Sequence, residues 1–386
     1  MATTATTRTE QATALTPTLL LAFELAVGKW KLGFTTGIAQ RPRERSVTAG
    51  DVPAVLEEIV RAKRRFGLPE DTRVVSCYEA GRDGFWLHRC LVAHGVDNHV
   101  VDSASIEVNR RQRRAKTDRL DVHQWLTMLL RYVAGEKKVW SVVRVPRVED
   151  EDRRQLHREL LTAKRDRTRV TNRIQGLLAG HGWRIELQGD VPAQLRQLQP
   201  WDGSPLPPAL QARLEREWQK GLFLTAQIEA LEAERRERLR TSAETVVEQV
   251  RQLNTRRGIG TNSAWLSVRE FCAWREFRNR QPVGAWAGLT PTPHQSEQSR
   301  HELGMAKAGN RHIRAMAIEM AWGWWRFQPE SELARWYQAR VGQGSARVRK
   351  IGIVALARKL LIALWQFLET GVLPKGAWLK AEVRIR

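Results

Sequence analysis

Four acids, a pair of loop serines and a run of basic residues are the residues whose type and setting invite chemistry. Glu24 lies inside the apolar stretch LLLAFEL and shares a strand face with Leu20 and Ala22 by two-residue alternation. An ionised carboxylate on a buried strand is costly unless it is paired or holds a cation. An exposed strand edge, or a pairing with one of the many arginines, is the plainer alternative. Glu79 ends the β-branched stretch RVVSCYE, just before Gly81-Arg-Asp-Gly84. Open α/β sheets collect ligands at such carboxyl ends, although most acids there are simply surface residues. Asp118 and Asp121 stand three apart at the opening of a helix and so share a face. With Thr117 as a cap they also suit the positive end of the helix dipole. Their neighbourhood, RRQRRAKTDR, adds Arg110, Arg111, Arg113, Arg114, Lys116 and Arg119. Carboxylates that hold Mg²⁺ beside arginines that hold phosphate would suit a metal-bound phosphodiester, polarised by one or two ions.

The second half offers less specific signals. RRGIGTNSAW (256–265) sets Gly258 and Gly260 in a turn before a helix. Such a turn either presents N–H groups to a phosphate or merely starts the helix. HQSEQSRHE (294–302) carries Ser296 and Ser299 beside His294, Arg300 and His301. A serine attacks phosphate only where its hydroxyl is positioned and the developing charge is stabilised. Loop serines are common, so chemistry alone does not single out Ser296, and the histidines lack a third metal ligand. Tryptophan supplies 16 of the aromatics against 9 Phe and 3 Tyr. Trp322, Trp324 and Trp325, near Arg314 and Arg326, would either stack on bases or pack a helical core, and the second use is the commoner.

The elements that must position these residues follow from the patterning. After a polar, disordered tail (1–18), residues 18–25 and 30–36 read as strands joined by a short Gly-containing turn, with a third extended piece from Ile38 to Val47. Asp51 caps a helix carrying Val52, Val55, Leu56, Ile59, Val60 and Phe66. Strand 73–79, a helix from Phe85 to His94, a strand at Val100–Val101 and a helix from Thr117 complete an α/β domain over 19–145. Over 146–250 the apolar positions Leu156, Leu160, Ala163, Val170, Ile174 and Leu177 form a heptad seam spoiled at Arg167. Pro192, Pro200, Pro205, Pro207 and Pro208 then break the chain. A second helix over 210–240 continues the seam with Leu224, Ile228 and Leu231. The pair predicts a coiled coil, antiparallel or intermolecular, with a solvated helical linker as the alternative. The remainder, 251–386, reads as mainly helical. One amphipathic helix carries Ile313, Met316, Ala317, Met320 and Trp324, and another Ile351, Val354, Arg358, Leu361, Trp365 and Leu368. Between Leu289 and Gly309 lies a polar loop too long for a simple connection.

Among 386 residues, 64 Lys and Arg against 42 Asp and Glu leave a net charge of +22, which calls for a polyanionic partner such as nucleic acid. With 42% hydrophobic residues, wholesale disorder is excluded. Three cysteines are too few for a disulfide framework or a four-cysteine zinc site. No apolar core of signal-peptide length opens the chain, and the run from Leu19 to Leu25 cannot span a bilayer. A cytoplasmic protein with no membrane partner is expected.

Taken together, Glu24, Glu79 in YEAG, KTDRLD (116–121), the heptad seam, GIG and AGLTPTPHQSEQSRHELGMAKAGNRHIR resemble the DEDD transposases of insertion-sequence family 110. The likeness runs from Leu19 to about Tyr337, and KTDRLD and the last stretch are its most specific parts. It implies an RNase H-like (RuvC-like) α/β first domain, a coiled-coil insertion and a mainly α C-terminal domain. It makes Glu24, Glu79, Asp118 and Asp121 the Mg²⁺-binding acids and Ser296 a nucleophile that joins covalently to a DNA end. It further implies a homo-oligomer, dimer or tetramer, with acids from one subunit completing the serine site of another. A structured guide RNA would pair with element-end and target DNA. Nucleic acid is expected on Arg110, Arg111, Arg113, Arg114, Lys116, Gly258, Gly260, Arg300, Lys307, Arg311, Arg347, Arg349 and Lys350, with Arg358 and Lys359 beside them. Two positions depart from the family pattern: Glu24 stands where Asp is usual, and Glu297 follows the serine where glycine is usual. A metal-dependent junction nuclease without a covalent intermediate, and a non-enzymatic nucleic-acid-binding protein, are the alternative functions.

Overall fold

The computed structural model describes residues 17–37, 40–102, 105, 118–198, 206–273, 275–296, 299–305 and 309–380, with 118–121, 292–296 and 299–304 described through their backbone. The tail through residue 16, Arg110, Arg111, Arg113, Arg114, Lys116, Glu297 and Lys307 lie outside the described residues. The chain divides into two compact units, Met1–Val145 and Pro146–Arg386.

The first unit contains β1 (Thr18–Leu25), β2 (Lys29–Thr35), β3 (Arg43–Thr48), α1 (Val52–Arg65), β4 (Arg73–Glu79), α2 (Trp86–Ala93), β5 (Asp97–Val101) and α3 (Asp118–Val133). The element order is the one read from the patterning. The five strands form one mixed sheet in the order β3-β2-β1-β4-β5. β1, β2 and β3 pair antiparallel, while β1, β4 and β5 pair parallel. Two-residue alternation buries both faces. Leu19, Leu21, Phe23, Val74 and Tyr78 pack with Val55 and Ile59 of α1 and Leu87 and Leu91 of α2. Leu20, Ala22, Val75 and Cys77 pack on the other face with Val122, Trp125, Leu126 and Leu129 of α3. α1 starts where expected, because the Asp51 carboxylate accepts from Ala54 N–H at 3.0 Å and proline sits in the first turn. α3 seats closely on β2 because position 33 is glycine: a Cβ there would stand 2.3 Å from Val122 Cγ1.

The second unit contains α4 (Val148–Asp152), α5 (Gln155–Ala179), α6 (Val191–Gln197), α7 (Pro208–Thr241), α8 (Thr245–Asn254) and α9 (Thr261–Trp265), which continues as a π-helical stretch, Leu266–Cys272. There follow α10 (Arg280–Trp286), β6 (Pro291–Ser296), β7 (Ser299–Met305), α11 (Arg311–Phe327), α12 (Glu332–Val341) and α13 (Ala346–Thr370). α5 and α7 lie antiparallel. Leu160 and Ala163 share a cluster with Ile228 and Leu231, whereas Val170 and Ile174 share another with Leu214. Lys164–Glu232 and Arg173–Glu217 ion pairs follow the same antiparallel order. Arg167, the odd position of the seam, is exposed.

Three expectations are corrected. Pro192 does not break the chain: it sits in the first turn of α6, where the Asp190 side chain caps Ala193 N–H and a missing proline N–H costs nothing. The polar loop after Leu289 is a hairpin, with β6 antiparallel to β7 and a bulge between Pro291 and Pro293. Its prolines and polar side chains hid it, since neither favours a ladder. Finally, the buried face of α13 centres on Ile353, Leu356, Leu360 and Leu364. Of the stripe read from the pattern, Leu361 is buried with them and Val354, Trp365 and Leu368 pack partly against the core, but Ile351 is 63% exposed. α13 is long and apolar enough by composition to cross a membrane, yet Ile353, Leu356, Leu360 and Leu364 pack in the unit's core with Met316 and Met320 of α11.

Candidate active site

The parallel β1–β4 register pairs Ala22 with Cys77. Continuing it by one pleat sets Glu24 level with Glu79, on the face that α3 covers. The two acids line one cleft of about 400 Å³, together with Leu25, Val27, Arg82 and Asp83. Glu24 is half-buried, and its Oε2 accepts a hydrogen bond from Trp125 Nε1 at 3.3 Å. Its cross-strand neighbour is Lys31, whose ammonium lies 3.6 Å from Glu44. Glu79 is exposed at the strand end. Arg82 and Asp83 form a loose pair at 3.7 Å.

α3 ties this cleft to the remaining acids. It begins at Asp118, and Asp121 precedes Trp125 by one helical turn, about 6 Å of rise. Positions 118, 121 and 125 fall on one stripe of the helix by the 3-then-4 spacing. The backbone therefore brings the opening turn of α3 to the Glu24 side of the sheet. Among the described side chains, no three His, Cys, Asp or Glu groups converge tightly enough to hold a metal, and those of Asp118 and Asp121 are outside that set. The donors that do line the cleft are carboxylate oxygens, the chemistry that Mg²⁺ prefers over soft metals. Sequence reasoning missed Trp125 as the donor to Glu24, having read it only as an apolar helix position. It also passed over Arg82 and Asp83, whose Gly-rich setting reads as punctuation.

In the second unit, Ser296 ends β6 opposite Ser299, with His294 opposite His301 and Gln295 opposite Arg300. The backbone thus places Ser296 at the hairpin tip. Gly258 has φ +80°, and a Cβ on it would meet Gly323 O of α11 at 2.8 Å, so both conformation and packing require glycine. Gly260 is the N-cap of α9. Both line a cavity of about 590 Å³ with Arg235, Asn262, Trp322 and Arg326. Arg235 is buried and donates to Asn262 Oδ1, and burial lowers its pKa. The tryptophan cluster divides: Trp324 is core and donates from Nε1 to Ser331 Oγ at 2.9 Å, whereas Trp322 is 38% exposed. Arg311, at the start of α11, and Arg347, Arg349 and Lys350, on the first turns of α13, are exposed.

Comparison with known proteins gives this geometry a family. Residues 250–336 match the family described as Transposase IS116/IS110/IS902 family, a segment running from within α8 into α12. Over 377 residues the chain is 39% identical to y4rJ of Sinorhizobium fredii strain NGR234, a protein named as a transposase, covering 94% of each. The chain belongs to the IS110 transposase family. This transposase is also 28% identical over 241 residues to a Pseudomonas aeruginosa protein named as a family 20 transposase, covering 61% of this chain and 69% of that one. A second S. fredii relative, y4qE, is 26% identical over 301 residues, covering 74% and 66%. Family membership assigns the transposase to a mobile genetic element. The matched segment includes Gly258, Gly260 and the hairpin that carries Ser296.

Proposed function

We propose that this IS110-family transposase is an RNA-guided DNA recombinase that exchanges strands through a covalent serine–DNA intermediate. The observation that carries this reading is the shared cleft of Glu24 and Glu79 at the carboxyl ends of adjacent parallel strands, with α3 opening at Asp118 beside it. The strand order β3-β2-β1-β4-β5, antiparallel on one side of β1 and parallel on the other, supports an RNase H-like (RuvC-like) first unit. In this reading Glu24, Glu79, Asp118 and Asp121 are the Mg²⁺ ligands. Mg²⁺, when bound, supplies polarisation of the scissile phosphate and stabilisation of the leaving oxygen. Trp125 holds the Glu24 carboxylate by its hydrogen bond and limits the reach of the longer acid.

Ser296 is the nucleophile. Its Oγ–P bond forms as the P–O bond to the departing DNA strand breaks. The serine proton leaves, and the departing oxygen ends as a hydroxyl, so one phosphodiester replaces another and its bond energy is kept for rejoining. The Gly258–Gly260 turn and the exposed cations of α11 and α13 bind nucleic-acid backbone. α5 and α7 form a coiled-coil arm through which copies of the chain assemble.

Protein mixed with labelled element-end DNA, guide RNA and Mg²⁺, then run on a denaturing gel, tests this. A protein-linked DNA band is expected, absent in Ser296→Ala and reduced at least 100-fold, or about 3 kcal/mol, in Glu24→Gln. Strand cleavage that survives Ser296→Ala with no linked band would make water the nucleophile and the protein a junction nuclease.

A further inference from the structure

Of the α13 positions Ile351, Val354, Arg358, Leu361, Trp365 and Leu368 that the pattern marks as amphipathic, Leu361 and Trp365 pack into the core, whereas Ile351, Val354 and Arg358 face an open groove. The groove, of about 1280 Å³, is walled by α10, α12 and the base of the β6–β7 hairpin at Pro291 and Met305. Ordinary small-molecule pockets hold about 300–1,000 Å³, so the groove suits a segment of polymer. Its floor is apolar, from Ile351, Val354, Ile362, Leu333 and Trp336. Its rim carries Arg280, Arg347, Lys350, Arg358 and Lys359, and among the described residues no carboxylate lines it.

None of these cations makes an ion pair among the described residues, whereas Lys164, Arg173 and Arg238 elsewhere in the same unit each pair with a glutamate. Two of them are held in place by other means. Arg358 lies across α10 at Gly284, where a Cβ would stand 2.8 Å from its Nε. Lys359 Nζ sits over the Trp336 ring at 4.7 Å. From Arg347 to Lys359 the charges run along about 18 Å of helix, the reach of several successive phosphates.

We infer that this groove binds an unpaired stretch of DNA, with phosphates on the cationic rim and splayed bases on the apolar floor. A duplex would satisfy the rim but keep its bases stacked inside, leaving the floor exposed to water. A single strand uses both, because every base offers a π-face to an apolar surface. The choice of DNA rests on reading Ser296 as the nucleophile: the same β6 strand that walls the groove at Pro291 ends at Ser296, about 17 Å away along the strand. The strand held here is then the one flanking the attacked phosphate.

The test is fluorescence anisotropy of the full chain without Mg²⁺, using a labelled single-stranded DNA of about 15 nucleotides, its duplex, and RNA of the same sequence. Ile351→Glu is expected to weaken single-stranded DNA binding by about tenfold and duplex binding by less than about twofold. Its melting temperature should not change, because Ile351 is exposed. Lys350→Glu should lower the salt slope for single-stranded DNA by about 0.7. The inference is overturned if Ile351→Glu leaves single-stranded DNA binding intact or weakens the duplex equally. It is also overturned if RNA alone loses affinity, or if the variant changes the sedimenting species without nucleic acid, which would make the groove a contact between copies. Binding is read without chemistry, so a missing covalent band would sink the nucleophile reading while leaving this measurement to stand or fall separately.

Discussion

His157 on α5 is 1% exposed, and neither ring nitrogen has a hydrogen-bond partner among the described residues. Burial pushes its pKa down from 6.5 to about 4, reinforced by Arg235 of α7 and by Lys164 and Arg158 of its own helix, and opposed by Glu270 of the π-helical stretch. The folded state thus holds a neutral imidazole that the unfolded chain protonates more readily. Above pH 6.5 both states are neutral at this position and nothing is lost. As pH falls from 6.5 towards 4, the unfolded state gains protons and folding weakens by on the order of 3 kcal/mol. Melting curves between pH 7 and 4 should fall steeply for the native chain and less steeply for His157→Leu. Nearby, Glu270 is buried against Arg158, at 2.8 and 2.9 Å, and against the buried Arg154. Glu270→Ala should cost about 3 kcal/mol in denaturant melts, because it removes the buried carboxylate that balances Arg154 and accepts both hydrogen bonds from Arg158. At this scale the sequence was legible where a charge broke an apolar pattern, as Glu24 does in LLLAFEL. It was opaque at His157 and Trp125, whose polar atoms matter only once a particular neighbour packs against them.

Among the elements, the seat of α3 on the sheet is the most exacting. Gly33→Ala would drive a methyl into Val122 Cγ1 and Leu126 Cδ1, within 2.3 and 2.9 Å. Overpacking of this kind should cost about 1–3 kcal/mol. It should also shift the opening turn of α3, so strand cleavage should fall further than the loss of folded protein explains, as measured by activity per folded molecule. The strands and helices of the first unit were readable because strict alternation buries both sheet faces in only one way. α13 was only partly readable, since Ile351, Val354 and Ile362 mark one side while Ile353, Leu356 and Leu364 mark another, and periodicity cannot choose between two apolar faces. The β6–β7 hairpin was hidden for the opposite reason, having almost no apolar pattern. The four acids could be singled out from their positions and neighbours, whereas the role given to Ser296 came from family likeness.

Across the whole molecule, the division at Val145–Pro146 gives two units with separate cores. Calorimetry should resolve two transitions, with Gly33→Ala lowering only one of them, by roughly 2–8 °C per kcal/mol. A net charge of +22 should make nucleic-acid affinity fall steeply and linearly on a log scale with added salt. The parallel pairing of β1 with β4 carries one more consequence. Glu24 and Glu79 are about 55 residues apart in sequence, with β2, β3 and α1 between them. While the ribosome is still making that interval, at about 5–20 residues per second, Glu24 has no partner acid beside it. The cleft that the two acids line is therefore absent from a nascent polypeptide and closes only when the second parallel strand has docked.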